Sequence, residues 1–213
     1  MIAAVVALLA LPSARRYPPR ADEWLSRSRL THDRPAADSG FIFDPANFGG
    51  DPSGKKDSTV AVQAALDAAF AVDMPGPFHI NGSNHGGATV HLGGGQFLIS
   101  SPLFAGGKTV HDQRGGGARI CCGALRAAAG IGNGSFMLTL RPGQEDTTFD
   151  ELMLDAAQAP GAGALHIDTA LRVTLRSLYV HGFSSYGIRV TEGHEVQLTD
   201  SFLGQCVEIA FHL

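Results

Sequence analysis

The sequence has no uninterrupted apolar run of about 18 residues, the length that a membrane-spanning helix needs. No membrane span is therefore expected. Basic residues are also few, since 16 Lys and Arg stand against 20 Asp and Glu and none of them forms a cluster. A basic patch is what neutralises nucleic-acid phosphates, so the sequence argues against nucleic acid as the main partner.

Charged residues are scarce as well, at 17% of the chain, whereas glycine is abundant with 27 residues. This composition disfavours a helical bundle and favours short strands that are separated by turns. The hydrophobic share of 44% is enough for a packed core, and 213 residues suit one domain with a short leader.

Only three cysteines are present: Cys121 and Cys122 are adjacent, and Cys206 stands alone. Because no C-x-x-C spacing occurs, no zinc site is expected, and the sequence indicates no other metal or cofactor. Two alternatives stay open for the cysteines. One is a disulfide that includes Cys206, and the other is three buried thiols.

The first residues resemble a secretory signal peptide. An apolar block from Ile2 to Leu11 precedes the small residues Pro12, Ser13 and Ala14. We expect residues 1–14 to direct secretion to the extracellular space or cell wall, and an apolar terminus without a targeting role is the alternative. Residues 15–40 are rich in Arg, Pro, Ser and Asp without a steady period, which is typical of a leader or linker.

The stretch FGGDPSGKKDSTVAVQAALDAA from Phe48 to Ala69 predicts a turn and then a helix. Asp57 or Ser58 can cap the helix, because a short side-chain oxygen accepts a hydrogen bond from a first-turn N–H. Apolar residues then recur with helical spacing at Val62, Leu66, Ala69 and Phe70. We expect a helix over about 58–72.

The remaining sequence alternates between apolar and polar residues, and it repeats. FDELML begins at Phe149, LRSLYV at Leu175 and LTDSFL at Leu198, so like residues recur after 26 and then 23 positions. A second pair, ALHID at 164 and GIRVT at 187, recurs after 23. A β-sandwich does not require such spacing, whereas one turn of a parallel β-helix does.

We therefore predict an all-β, right-handed parallel β-helix over residues 41–213, with a short N-terminal α-helix that covers its exposed first turn. An uncovered first turn would invite aggregation. The chain ends at CVEIAFHL, inside a strand-like run. The pattern thus predicts that the β-helix is incomplete at its C-terminal end.

The opening stretch resembles the N-terminal motif of the pectate-lyase-like superfamily of right-handed β-helix proteins. From Glu145 to Cys206 the sequence is similar to plant polygalacturonases of the pollen-tetrad-separation (quartet) type, through the segments FDELMLDA, HIDTALRVTL, GIRVTEGHE and SFLGQ. The resemblance implies a secreted hydrolase that cleaves galacturonan in pectin. The Asn-Thr-Asp, Asp-Asp, Gly-His-Gly and Arg-Ile-Lys motifs of polygalacturonases are absent, and Gly193-His194-Glu195 matches the third only in part.

Glycoside hydrolysis needs two carboxyl groups across the scissile bond, and stacked strands can supply them from neighbouring turns. The repeat predicts that Asp155 lies beside His181, and that Tyr179 and Phe202 form an outward aromatic column that could receive a sugar ring. The candidate catalytic residues are Asp155, His181, Asp200 and His194, and the candidate substrate-binding residues are Tyr179, Phe202 and Glu195. The simpler alternatives are a turn at Asp155, aromatic rings that a loop covers, and a solvated His194-Glu195 pair.

Three functions are consistent with this pattern. The first is a polygalacturonase-like hydrolase of polysaccharide that acts as a monomer. The second is a non-catalytic β-helix module that binds polysaccharide or serves as a scaffold. The third is a calcium-dependent lyase, although strand alternation would scatter the nearby acidic residues Asp146, Asp150, Glu151 and Asp155 over both faces.

Overall fold

The computed structural model describes residues 41–72, 87–107, 117–129, 131–132, 134–156, 159, 161–204 and 209–212, the last range by its backbone only. The expected signal peptide (1–14), the expected leader (15–40) and Cys206 lie outside these residues, so the expectations for them remain predictions. No helix of the described part is both long and apolar enough to cross a membrane.

The described residues are mostly β, with one α-helix. The helix α1 is Thr59–Phe70, and the strands are β1 Ile42–Phe43, β2 Ser53–Asp57, β3 Thr89–His91, β4 Gln96–Ile99, β5 Leu103–Ala105, β6 Arg119–Ala127, β7 Phe136–Leu140, β8 Thr148–Asp155, β9 Gly163–Asp168, β10 Thr174–Arg176, β11 Tyr179–His181, β12 Tyr186–Thr191, β13 Gln197–Thr199, β14 Phe202–Gly204 and β15 Ile209–His212.

The strands form two sheets, and every strand pairing described is parallel. The first sheet has the order β1-β3-β6-β8-β10-β13; in addition, β4 pairs with β6 and β2 with β4, and β11 pairs with β8 and β14 with β11. The second sheet has the order β5-β7-β9-β12-β15. From β4 onward the chain passes back and forth between the two sheets, with β10 and β11, and likewise β13 and β14, as consecutive strands of the first sheet. Each pass adds strands next to those of the pass before.

The register between passes is the one that the sequence repeat predicts. Leu175 lies opposite Phe149 on one side and opposite Leu198 on the other. In the second sheet the paired positions include Leu138, Leu165 and Ile188. Phe149, Leu175 and Leu165 are fully buried, so these columns form the core between the sheets.

A bend repeats in the same register just before the first sheet. Its column contains Gly87, Gly117, Asp146, Arg172 and Glu195, with φ of 73°, 93°, 53°, 52° and 56°. Each of these residues precedes a paired strand position by two residues. The left-handed region suits Gly and is tolerated by few other residues, so a shared bend imposes this conformation on each pass. The bend brings residues from distant parts of the sequence to one edge.

Helix α1 lies within the expected range of 58–72 and buries the predicted apolar stripe. Ser58 stands at the N-cap position without a side-chain cap bond, and the Thr59 N–H of the first turn donates instead to Asp57 Oδ1 at 3.0 Å. Gln63 ties the helix to β5, because its Nε2 donates to the Phe104 carbonyl and its Oε1 accepts from the Phe104 N–H.

Cys121 and Cys122 form a disulfide with each other. Both alternatives drawn from the sequence, a bond to Cys206 and three free thiols, are therefore wrong. Consecutive side chains of a regular strand point to opposite faces. Cys122, however, has φ of 71°, and this local break in β6 lets the two neighbouring sulfurs meet.

Candidate functional site

The first group of candidate residues lies on neighbouring strands of the first sheet and is named here the buried ladder: Arg126, Asp155 and His181. As the repeat predicted, Asp155 pairs in register with His181, and on its other side it pairs with Arg126. Arg126 Nε lies 3.2 Å from Asp155 Oδ2, and His181 Nε2 lies 3.7 Å from Asp155 Oδ1. Asp155 and His181 are only 6% and 9% exposed, so solvent reaches the pair poorly.

Burial lowers the pKa of His181 below its ordinary value of 6.5, because it disfavours the charged imidazolium. The Asp155 carboxylate acts in the opposite direction, and the Arg126 guanidinium adds to the lowering. His181 is therefore neutral at pH 7. A neutral imidazole beside a carboxylate can accept a proton, which is the role of a general base.

The pKa of His181 should change when its charged neighbours Asp155 and Arg126 are replaced. We expect its imidazole to titrate below 6.5, Asp155→Asn to lower the pKa further, and Arg126→Gln to raise it. Imidazole chemical shifts measured by NMR between pH 4 and 8 check this. His194→Asn identifies the signal of an exposed histidine as a reference. Shifts in the same direction for both substitutions would contradict the geometry of the buried ladder.

The predicted aromatic column exists, but Tyr179 is not exposed. The rings of Tyr179 and Phe202 stack with centroids 4.9 Å apart, and Met153 continues the column. Tyr179 is only 3% exposed, so the expectation of an exposed Tyr179 is wrong. The reason is that Ala124, Met153 and Tyr179 pack together as a separate buried apolar cluster against which Phe202 lies. A substrate-binding role for Tyr179 and Phe202 stays a prediction.

The second group lies at the edge that the repeated bend creates, and it contains His194 and Glu195. Two adjoining cavities of about 300 and 320 Å³ open there and are named here the corner clefts. Gln144, Glu145, Glu192 and His194 are among the residues lining the first, and Asp146, Thr148, Arg172, Thr174, Glu195 and Gln197 line the second. His194 and Glu195 are both exposed.

Arg172 lines the second corner cleft and also contacts Glu145, which lines the first. Its Nε lies 2.6 Å from Asp146 Oδ1, and its Nη2 lies 3.0 Å from Glu145 Oε2. The hydrogen bond and the charge of Asp146 raise the pKa of Arg172, with a smaller effect from Glu145. Leu171, the residue before Arg172, is bridged to Glu145 on one side and to His194 on the other, so His194 comes from the pass that follows Arg172.

Asp200 belongs to neither group. It is exposed, with φ of 49°, in the bend between β13 and β14. Glu151 and Ser177 occupy the corresponding positions of earlier passes, with φ of 48° and 51°. Thr148 at the corner clefts and Asp155 in the buried ladder are seven residues apart along β8. Apart from Asp200, the candidate residues thus fall into two groups at different positions along the strands.

Sequence reasoning missed Arg172 and Arg126. Arg172 was detectable, because it stands 26 residues after Asp146 and 23 before Glu195, the same offsets as the repeat. Arg126 was not, because β6 pairs with β8 at an offset of 29 residues, outside the repeat that the sequence displays. The buried Gln144 was also missed, and its side-chain amide has no hydrogen-bond partner in the described part of the chain.

No protein-family model matches the chain. The chain is similar to Polygalacturonase QRT3 of Arabidopsis thaliana, with 32% identity over 176 residues, which are 77% of this chain and 34% of that protein. The resemblance to plant polygalacturonases is thereby confirmed, and the aligned part spans about a third of that relative's length.

The chain is also similar to two solved structures, both at low identity and with low TM-scores. One is ORF18 of Geobacillus virus E2, with 15% identity, a TM-score of 0.43 and coverage of 81% of this chain and 36% of that chain. The other is a Parabacteroides merdae protein provisionally assigned as a glycosyl hydrolase, with 11% identity, a TM-score of 0.39 and coverage of 80% and 94%.

Proposed function

We propose that this chain belongs to a secreted polygalacturonase-like glycoside hydrolase that acts on the galacturonan of cell-wall pectin. The observation that carries the proposal is the 32% identity to a polygalacturonase over 176 residues. Parallel strands in register support it, because they place side chains of successive passes in columns along which an extended polysaccharide could lie.

The proposed architecture is a right-handed parallel β-helix over residues 41–213. Helix α1 would cover its first turn, which the burial of Val62, Leu66 and Phe70 against the core supports. Residues 1–14 would act as a signal peptide and 15–40 as a leader, and the protein would act as a monomer.

The corner clefts are the proposed place of substrate contact, because the candidate residues there are open to solvent. His194 can give or take a proton, and the Glu195 carboxylate can accept hydrogen bonds from sugar hydroxyls. Arg172 lies beside them, held by Asp146 and Glu145, and the remaining N–H groups of its guanidinium can donate hydrogen bonds to sugar oxygens. Hydrolysis with inversion would need one protonated and one ionised carboxyl group across the bond.

The buried ladder is a second proposed element. Asp155 and neutral His181 have the chemistry of an acid/base pair, although both are less than a tenth exposed. Asp200 is carried forward as a candidate carboxylate from the neighbouring bend. Activity measurements on variants of both places distinguish the roles.

The test is the release of reducing ends from polygalacturonate by the 213-residue chain. We expect His194→Asn and Glu195→Gln to reduce release at least tenfold, about the lower range of acid–base contributions, without a change in Tm. Asp155→Asn tests the buried ladder in the same assay. Asp67→Asn on α1 is the matched carboxylate-to-amide control and should keep full activity.

Each other outcome favours a specific rival. An ultraviolet-absorbing unsaturated product that disappears with chelator would replace the hydrolase by a calcium-dependent lyase. Saturable binding of polygalacturonate with no product of either kind would instead indicate the non-catalytic module. Full activity in both cleft variants would remove the corner clefts from the mechanism.

A further inference from the structure

Three metal-ligating side chains that belong neither to the buried ladder nor to the corner clefts meet on the first sheet. They are His91 of β3 and Cys121 and Cys122 of β6, and their ligand atoms all lie within 4.8 Å of one another. All three are buried, at 5%, 0% and 1% exposure. The strand register brings them together, because His91 pairs with Cys121.

The donor set is one that a thiophilic cation prefers. Two thiolates and one imidazole occur together in zinc sites, with metal–ligand bonds of about 2.0–2.3 Å. Ligand atoms around such a metal lie roughly 3.5–4 Å apart. To bind such a metal, the cluster therefore mainly requires that the two sulfurs move apart, since they are bonded to each other in the oxidised chain.

Charge also favours the reduced pair as a ligand. Arg119 and Arg176 both bind Asp150, which is the register neighbour of Cys121. Arg119, two residues before Cys121 on β6, adds a positive charge, and nearby positive charge favours thiolates. Zn²⁺ with two thiolates and a neutral imidazole carries no net charge, which suits a buried position.

We propose that the reduced Cys121–Cys122 pair and His91 bind one Zn²⁺, and that the disulfide form does not. Reduction by a phosphine consumes one water and yields two thiols and one phosphine oxide, and Zn²⁺ then displaces the two thiol protons. His91 Nδ1 accepts the Gly93 N–H at 3.0 Å in the oxidised chain, so coordination through Nε2 moves the ring proton to Nδ1 and exchanges this hydrogen bond for the metal bond. The fourth tetrahedral position remains for solvent or an external ligand.

This proposal departs from the expectation of no zinc site, which rests on the absence of a C-x-x-C motif. That expectation considered ligands that are close in sequence, whereas His91 stands 30 residues before Cys121. The proposal is independent of the proposed function, because its test measures metal binding and not activity.

The test compares the oxidised chain with the chain reduced by phosphine and desalted without oxygen. Zn²⁺ is titrated in competition with a chromophoric chelator, and Cd²⁺ reports thiolate ligation through its ultraviolet charge-transfer band. We expect one Zn²⁺ per reduced chain and none per oxidised chain. Cys121→Ser, Cys122→Ser and His91→Gln should each weaken binding at least tenfold, whereas the matched controls Cys206→Ser and His194→Gln should not.

Equal binding by the oxidised and reduced chains would overturn the proposal, as would loss of binding in Cys206→Ser alone. A substituted chain that fails to fold leaves a second measurement on the unsubstituted protein. Zn²⁺ should raise the Tm of the reduced chain and leave that of the oxidised chain unchanged, because a ligand that binds only the folded state stabilises it. An unchanged Tm in the reduced chain would contradict zinc binding.

Discussion

Phe149→Ala is expected to lower the free energy of unfolding by about 3–5 kcal/mol, the usual cost of removing a large buried aromatic side chain. Phe149 is fully buried and lies in register between Ile120 and Leu175, so neither neighbouring strand can easily close the cavity. Domains are stable by only about 5–15 kcal/mol, so the loss removes a large fraction of the total.

Urea denaturation followed by circular dichroism measures this loss. The matched control is Phe104→Ala in β5, where the ring is 39% exposed and lies under the Arg141 guanidinium. We expect that substitution to cost about 1 kcal/mol or less, in line with a partly exposed ring and a weak cation–π contact. Similar losses for both variants would mean that Phe149 is not in the core column.

The double variant Arg119→Ala/Arg176→Ala is expected to reverse the pH dependence that Asp150 contributes to stability. Asp150 is 1% exposed and is held by Arg119 Nη2 at 2.7 Å and by Arg176 Nη2 at 2.6 Å. Burial raises the pKa of Asp150, but the hydrogen bonds and charges of Arg176 and Arg119 outweigh burial, so the pKa lies below 3.8. Removing both arginines leaves burial alone, which raises it.

The sign of the effect differs between the two proteins. In the unsubstituted protein the folded-state pKa is depressed, so this stabilisation is present above the unfolded value of about 3.9 and is lost as the pH falls through the folded value. In the double variant the folded-state pKa is raised, so stability decreases as the pH rises above about 3.9. We expect a loss of about 3–5 kcal/mol at pH 7, as for other buried charges left without a partner.

Urea unfolding at several pH values from about 2 to 8 gives this dependence directly, because the change in the unsubstituted protein lies below about pH 3.9. Adding Asp150→Asn to the double variant is the control, because an amide does not titrate and should restore much of the stability at pH 7. A double variant whose stability still follows the unsubstituted pH profile would show that the arginines do not control Asp150.

The sequence repeat predicted the strand register, but it did not predict which outward side chains are buried or which of them contact one another. Leu175 was placed between Phe149 and Leu198 because inward side chains recur at every pass, and a one-residue slip would expose them all. The same counting placed Asp155 beside His181. This counting did not predict Arg126, because the pass that carries Arg126 differs in length from the repeat.

The sequence by itself determined the parallel stacking of strands, the position of α1 and the alignment of like residues, because these depend on local periodicity and on offsets that the letters display. Only the tertiary structure decided that Tyr179 and Asp155 are buried, that the corner clefts are open, and that His91 meets Cys121 and Cys122. Whether an outward side chain is buried depends on what packs against it, and local sequence does not show this. The meeting of His91 with Cys121 and Cys122 depends on a bend and on a strand pairing across 30 residues, which local sequence does not show either.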